Sequence, residues 1–433
     1  MSPTAIGIIG VIFLVVLLFS EMPVGFAMAL AGFLGFTYVS GLDAGLSLLP
    51  RDLFDVLSSY HLTTLPLFVL MGQISFVSGI SRRLFDWANV LMGSRRGGLA
   101  IATVAACAGF SAISGSTSAT AATMATVALP EMKRYKYDMS LATGTLAAAG
   151  SLGILIPPSA IFIVYGILTE QSIGKLFASG ILPGLLLSLL FMLAIYVQVV
   201  RNPSLAPPGS KTTLRQKIVS FAGVAETLAI FLMVMGGIFF GIFTPTEAGA
   251  AGSFLCLMIA VLRKQFTWQG LKTSLMDTTR ISCMVLVIVS GAVIFGHFMA
   301  ITRVPYDLAN WVAALPVSKH AIMGLIILVY LLGGCFMDAL GMVILTIPIF
   351  FPVAQTLGFD PIWFGVVIVL ITEMGVITPP VGINVFVVYS IAEDVSLETI
   401  FKGVVPMLMA LIVCSLTILF FPQIVLFLPS LMR

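Results

Sequence analysis

Gly150-Ser151-Leu152-Gly153-Ile154-Leu155-Ile156-Pro157-Pro158-Ser159 interrupts an otherwise apolar run over 139–168. Glu373-Met374-Gly375-Val376-Ile377-Thr378-Pro379-Pro380-Val381-Gly382-Ile383-Asn384 interrupts a second run over 364–391. Each run is long enough to cross a bilayer, which takes about 20 helical residues. A Pro pair removes two backbone donors and blocks the preceding turn, at roughly 3 kcal/mol or more for one interior Pro. Each crossing should therefore split into two half-helices; the alternative is a Pro kink relieved by local repacking. Unwound backbone at membrane depth survives only where protein or a water-filled cavity surrounds it. Its freed carbonyls can ligate a hard cation such as Na+, and the start of a half-helix offers a positive dipole end to an anion.

The rest of the chain agrees with a bilayer as solvent. Of 433 residues, 59% are hydrophobic and 9% charged, whereas a soluble chain carries about 25% charged residues. A net charge of +3 gives no broad basic field, which argues against a nucleic-acid partner. Cys107, Cys256, Cys283, Cys335 and Cys414 stand singly in apolar runs with no metal-ligand or disulfide spacing, and read as small core residues. The first apolar run, 6–19, lacks the basic segment and cleavage site of a secretory signal and reads as a retained helix.

Hydropathy places crossings at 4–20, 22–40, 61–80, 139–168, 180–200, 220–243, 246–262, 281–302, 364–391 and 404–428. Basic clusters mark the cytoplasmic side: Arg82, Arg83, Arg95 and Arg96; Lys133, Arg134 and Lys136; Arg201, Lys211, Arg215 and Lys217; Arg263, Lys264 and Lys272. The connections 42–49 and 244–247 carry no basic residue and fall outside, and both chain termini are then expected in the periplasm. Residues 97–130 lie between two basic clusters around Ser114-Gly115-Ser116-Thr117-Ser118, so a re-entrant hairpin solves the topology. Residues 319–352, with Gly333, Gly334, Asp338 and Gly341 near the tip, form its counterpart from the outside.

The two halves repeat at an offset of 222 residues. Pro23 matches Pro245, Pro130 matches Pro352, Gly153 with Pro157-Pro158 matches Gly375 with Pro379-Pro380, and Ser116 falls on Asp338; after one insertion Pro183 matches Pro406. The fold class is thus an all-α polytopic membrane protein of two repeats, 1–210 and 218–433, each with five crossings and one hairpin. An odd number of crossings inverts the second repeat relative to the first, the signature of secondary transporters with a midplane site. The expected scaffold is mainly 1–80 and 218–302, and the expected transport domain mainly 97–200 and 319–428.

Hydroxyls at Ser116, Thr117, Ser118, Ser159 and Thr378 can complete such sites. Asp338, an ionisable residue at membrane depth, is the leading candidate for a cation ligand. Glu21 and Glu247 stand at helix starts and read as dipole caps; Glu373 precedes a break and fits either class. Arg303 suits bidentate recognition of a carboxylate or sulfonate, or acts as a snorkelling anchor. Segments 81–96 and 303–318 are amphipathic and read as arms on the membrane surface.

Four runs carry a specific resemblance: Ser114-Gly115-Ser116-Thr117-Ser118-Ala119-Thr120, Gly153-Ile154-Leu155-Ile156-Pro157-Pro158-Ser159, Thr244-Pro245-Thr246-Glu247-Ala248-Gly249 and Gly375-Val376-Ile377-Thr378-Pro379-Pro380-Val381-Gly382. Over essentially its whole length the chain resembles the large membrane subunit of TRAP (tripartite ATP-independent periplasmic, DctM-like) transporters. The resemblance implies an elevator-type fold of the ion transporter superfamily in the bacterial inner membrane and Na+-driven uptake of a small organic anion. It also implies two partners, a small four-helix membrane subunit and a periplasmic binding protein. It implies cation sites at Ser116, Thr117, Ser118, Gly153, Pro157, Asp338, Gly375, Thr378 and Pro379; Ser159, Arg303 and Asn384 are candidate substrate contacts from their residue types, and Arg303 lies in no matching motif. Only about three residues precede the first crossing, so a separate small subunit is expected.

The residues alone also allow a stand-alone Na+- or H+-coupled anion symporter or antiporter of similar architecture. An intramembrane enzyme is disfavoured: His61, His297 and His320 are far apart in sequence, and neither a zinc-protease His-Glu pattern nor a Walker-type loop occurs. C4-dicarboxylates, sugar acids, keto acids and sulfonates all fit as cargo.

Overall fold

A computed structural model describes residues 2–209 and 212–432, the side chain of Leu214 excepted. Lys211 of the third basic cluster, and the repeat boundaries at residues 1, 210 and 433, lie outside the described residues. The described chain is all helical. The first half runs α1 (Pro3–Phe19), α2 (Val24–Ser40), α3 (Leu42–Leu57), α4 (Thr64–Val77), α5 (Ile80–Met92), α6 (Gly98–Ser114), α7 (Thr117–Arg134), α8 (Met139–Gly150), α9 (Leu152–Leu155), α10 (Ala160–Leu168) and α11 (Ile173–Arg201). The second runs α12 (Leu214–Phe239), α13 (Pro245–Leu262), α14 (Trp268–Thr302), α15 (Val304–Ala314), α16 (Lys319–Gly334), α17 (Ala339–Thr356), α18 (Pro361–Val376), α19 (Ile383–Tyr389), α20 (Leu397–Phe420) and α21 (Gln423–Ser430). Among the described residues, eight helical segments are long and apolar enough to cross a membrane, and five shorter apolar helices accompany them.

The caps explain why the helices begin where they do. Side chains of Asp138, Ser172, Thr267, Asp360 and Ser396 accept from backbone N–H groups at the starts of α8, α11, α14, α18 and α20. Thr244 and Glu247 form a reciprocal capping box at α13, so Glu247 does cap. Glu21 does not: it sits in the turn before α2 at φ 64°, and Pro23 occupies the N-cap.

Four readings of the sequence need correction. Residues 42–49 are not a plain connection, because α3 runs from Leu42 to Leu57 there. Its Asp43, Arg51 and Asp55 depress a hydropathy average while Gly45, Asp52 and Val56 are buried. Helices α11, α14 and α20 start at 173, 268 and 397, well before the apolar windows read at 180, 281 and 404, because Lys175 in α11, Gln269 and Lys272 in α14, and Glu398 and Lys402 in α20 keep their first turns out of a hydropathy window. The window 404–428 is broken at Pro422, which separates α20 from α21. Of the cysteines, Cys283 is exposed and the other four are buried.

Lipid gives apolar helices no reason to associate, so small residues that admit close backbone approach decide the packing. On Gly291 of α14 a Cβ would come within 2.1 Å of the Gly25 carbonyl of α2. On Gly144 of α8 it would come within 2.2 Å of the Gly403 backbone of α20. Helices α2, α4, α13 and α14 thus form one packed group, with Ser253 of α13 donating to the Leu67 carbonyl of α4 at 2.6 Å. Helices α7, α8, α16, α18 and α20 belong to a second.

Polar ties fix the ends. Glu226 of α12 accepts from Arg83 of α5 at 2.9 Å and from Arg263 Nε, which caps α13, at 2.5 Å. Thr4 of α1 donates to Asp307 of α15 at 2.6 Å, and buried Asp52 of α3 meets His297 of α14 at 2.7 Å. Lys133 at the end of α7 pairs with Asp394 in the loop before α20.

Candidate functional site

The tip of the first hairpin is a two-residue turn. Gly115 ends α6 at φ 64°, a left-handed conformation that glycine adopts without cost, and Ser116 in extended conformation caps α7 by accepting from Ala119 N at 3.4 Å. Ser114 and Thr120 join their hydroxyls at 2.7 Å across the turn. This tip rests directly on the first broken crossing. A Cβ on Gly153 would stand 2.3 Å from the Ser116 carbonyl, and one on Gly115 would stand 2.9 Å from the Pro158 carbonyl. Between α9 and α10 the chain is unwound over residues 156–159, and Ser159, fully buried, caps α10 through Phe162 N at 3.5 Å.

The second hairpin and break repeat the plan with different chemistry. Asp338 caps α17 by accepting from Leu340 N at 3.1 Å. Helix α18 stops at Val376, Thr378 donates to the Met374 carbonyl at 2.5 Å, and Gly382 at φ 65° leads into α19. The closing end of α16 lies against α18, since a Cβ on Gly375 would come within 2.5 Å of Gly334. Asn384 is buried; its amide donates to the Ala147 carbonyl of α8 at 3.4 Å, while its Oδ1 has no partner. Glu373 is fully buried and neither carboxylate oxygen has a partner.

The half-helices that follow the breaks cross over. Helix α10 packs on α17 of the second hairpin, where Tyr165 stacks edge-on with Phe351 and donates to the Pro361 carbonyl at 2.5 Å. Helix α19 packs on α7 of the first hairpin and on α8 of the first broken crossing. Each break is therefore held by its own hairpin on one side and by the other hairpin on the other.

A cavity of about 440 Å³ opens at this crossing, walled by Gly72, Gln73 and Phe76 of α4, Met284 and Val285 of α14, Ser114–Ala119 at the first tip, Thr123 and Thr126 of α7, Pro158 and Ala160 at the first break, and Asp338 with Leu340. Three helix starts, those of α7, α10 and α17, face into it. At α7 and α10 the first-turn N–H groups and aligned peptide dipoles favour negative charge, whereas the start of α17 is already taken by the Asp338 carboxylate.

Of the residues singled out in the sequence, Ser116, Thr117, Ser118 and Asp338 line this cavity. Gly153, Pro157 and Ser159 lie buried beside it as the seat of the first tip. Gly375, Thr378, Pro379 and Asn384 gather at the second break, outside the cavity wall. Arg303 is not brought to either. It is exposed, caps α14 in a left-handed conformation and faces a separate cavity of about 500 Å³ with His297, Tyr306, Pro348 and Pro352. Sequence reasoning missed Gln73, Thr123 and Thr126; the signal for Gln73 was there, as the one amide in the apolar crossing 61–80.

Comparison with known proteins points one way. The family described as "Tripartite ATP-independent periplasmic transporter, DctM component" matches residues 11–424. The chain is 36% identical to the C4-dicarboxylate TRAP transporter large permease protein DctM of Pseudomonas aeruginosa, over 87% of this chain and 88% of that one. It is 32% identical to the sialic acid TRAP transporter large permease protein SiaM of Vibrio cholerae, over 96% of each. It is 33% identical to the isethionate TRAP transporter permease protein DctMQ of Oleidesulfovibrio alaskensis, over 94% of this chain and 64% of that longer one. Among solved structures, the Alcanivorax borkumensis YdaH transporter superposes with a TM-score of 0.65 at 15% identity, over 87% of this chain and 89% of that one, a likeness of fold. These relatives are transporter permeases and not enzymes, and with a match over almost its whole length this chain belongs to the DctM component family of tripartite ATP-independent periplasmic transporters.

Proposed function

We propose that the chain imports a small organic anion across the bacterial inner membrane, driven by Na+ and working as an elevator. The observation that carries this reading is the convergence of three helix starts and the Ser116-Thr117-Ser118 hydroxyls on one cavity between two packed helix groups. A cavity of about 440 Å³ falls within the usual range for small ligands, roughly 300–1,000 Å³. The cargo named for three relatives is a C4-dicarboxylate, sialic acid or isethionate, all organic acids, in keeping with the positive dipole ends of α7 and α10 at the cavity.

Two inverted repeats account for the paired hairpins and breaks. In this reading α2, α4, α13 and α14 are scaffold, the hairpins and broken crossings move as a body, and the arms α5 and α15 connect the two. The second break suits Na+ on the chemistry of its donors. Thr378, Asn384 with its unpartnered Oδ1, and carbonyls that receive no N–H from Pro379 and Pro380 are neutral hard oxygens. At the first tip Ser116, Thr117, Ser118 and the close-packed backbone at Gly153 and Pro157 would hold a second Na+. The proposed partners are a small four-helix membrane subunit and a periplasmic binding protein that hands over the anion, with both termini of this chain on the periplasmic side.

The test is uptake by the complete three-part system in proteoliposomes, with a panel of labelled C4-dicarboxylates, sugar acids, keto acids and sulfonates. An inward Na+ gradient should drive accumulation of at least one anion. Equal uptake with K+ in place of Na+ refutes the coupling.

A further inference from the structure

The second cavity, about 500 Å³, shares no lining residue with the central one and lies where α14 and α15 meet α17 and the end of α10. Apart from His297, Arg303, Tyr306 and Thr356 its walls are apolar, and no carboxylate lines it. Asp307, one turn further along, accepts instead from Thr4 at 2.6 Å, and Asp52 is buried against His297 Nδ1 at 2.7 Å. Among the described residues no ion pair engages Arg303, and its guanidinium donors have no protein acceptor. Helix α14 ends and α15 begins on this residue, so two half-charges of opposite sign nearly cancel and the full charge of Arg303 sets the sign of the site. Ile301, Tyr306 and Trp311 beside it in the chain are exposed, and Tyr and Trp gather where lipid headgroups meet the hydrocarbon.

We infer that this cavity is a site for an anionic phospholipid, with the phosphate on Arg303 and an acyl chain along the apolar walls of α14 and α17. A guanidinium fork matches phosphate oxygens in pairs, and here no protein group competes for it. The rest of the lining selects a lipid over a free anion. Ala292, Val293 and Gly296 of α14 face Ile347 and Pro348 of α17 across the same space. By helical rise Ala292 lies roughly 16 Å further along α14 than Arg303, a depth that suits a hydrocarbon chain. A small soluble anion would leave that apolar surface uncovered. A zwitterionic headgroup is the poorer fit, because its amine meets no carboxylate. Seated there, the lipid touches α14 and α17 together and braces the second hairpin against α14.

The experiment is thermal unfolding of the purified, delipidated permease complex in detergent micelles, titrated with dioleoyl phosphatidylglycerol or dioleoyl phosphatidylcholine. A hydrogen-bonded charge pair is worth about a factor of ten in affinity, so the wild type should reach half of its stability gain at roughly tenfold less phosphatidylglycerol than phosphatidylcholine. Arg303→Gln keeps a polar side chain and removes the charge, and should bring the two half-saturation points together. Ala300→Trp fills the cavity from an exposed position of α14, and should abolish the gain from phosphatidylglycerol. Equal response of the wild type to both lipids overturns the inference, as does an undiminished preference in Arg303→Gln. Should Arg303→Gln fail to fold, Ala300→Trp decides: an unchanged phosphatidylglycerol curve would put the lipid elsewhere. Glycerol 3-phosphate supplies the phosphate without the chains. If it alone gives the full gain, the site takes a free anion and the lipid assignment falls.

Discussion

The two broken crossings share a backbone plan and differ in how complete they are. At the first, Pro157, Pro158 and Ser159 are buried, the Ser159 hydroxyl caps α10, and the hairpin tip is seated on Gly153 with no room for a side chain. At the second, Pro379 and Pro380 are exposed, and Glu373 and Asn384 carry buried oxygens with no partner. No buried side-chain oxygen of the first break is left without a partner. In the proposed function Na+ completes the second. The two halves thus present different chemistry, neutral hydroxyls at the first tip and carboxylates at Asp338 and Glu373, even though Ser116 and Asp338 occupy corresponding positions.

That contrast can be broken in four ways, from the largest effect downward. Asp338→Ala should reduce Na+-dependent uptake on the order of 100-fold, the upper range of a coupling free energy, while the protein stays folded; retained uptake would make Asp338 a cap for α17 and no more. Gly153→Val should act on the first break through packing. Its new Cβ meets the Ser116 carbonyl at 2.3 Å, so stability should fall by about 1–3 kcal/mol in thermal unfolding, with uptake lost in consequence. A stable Gly153→Val protein would show that the first tip is not seated as described.

Asn384→Ala should sharpen the contrast from the other side. It gives up one weak hydrogen bond and one unpartnered oxygen, so folding stability without Na+ should hardly move while half-saturating Na+ rises about fivefold. The smallest effect is expected at Lys133–Asp394, which ties α7 to the loop after the second break. The Lys133 hydrogen bond holds the Asp394 carboxyl below the usual carboxylate range. Its contribution is present above the ordinary Asp value, about 3.9, and is lost as pH falls through the lowered one. Asp394→Asn should lower stability slightly and evenly from neutral pH down to the ordinary Asp value and leave it unchanged in stronger acid; a difference from wild type that persists below the lowered value would contradict it.

Much of this was legible because prolines and glycines punctuate the chain. The Pro pairs at 157–158 and 379–380 fall in the breaks, and the Gly115-Ser116 turn marks the first tip, each through local backbone chemistry that a sequence states directly. Helix α3 was not legible, since its burial of Gly45, Asp52 and Val56 depends on neighbours and its charged face hides it from a hydropathy window. Nor could Arg303 be placed: its type suits an anion, but only tertiary structure puts it on a different cavity. The crossing of α10 onto α17 and α19 onto α7 has no local signature at all, and it is what gathers residues from both halves around one space.

The three helix starts around that space carry a lasting consequence. In the proposed function a preference for negative cargo comes from peptide groups and could not be deleted by exchanging any one side chain, whereas the fit of the cargo would depend on replaceable wall residues such as Gln73, Thr123 and Thr126. New substrates are then reachable by drift in the walls, and a reversal of sign is not.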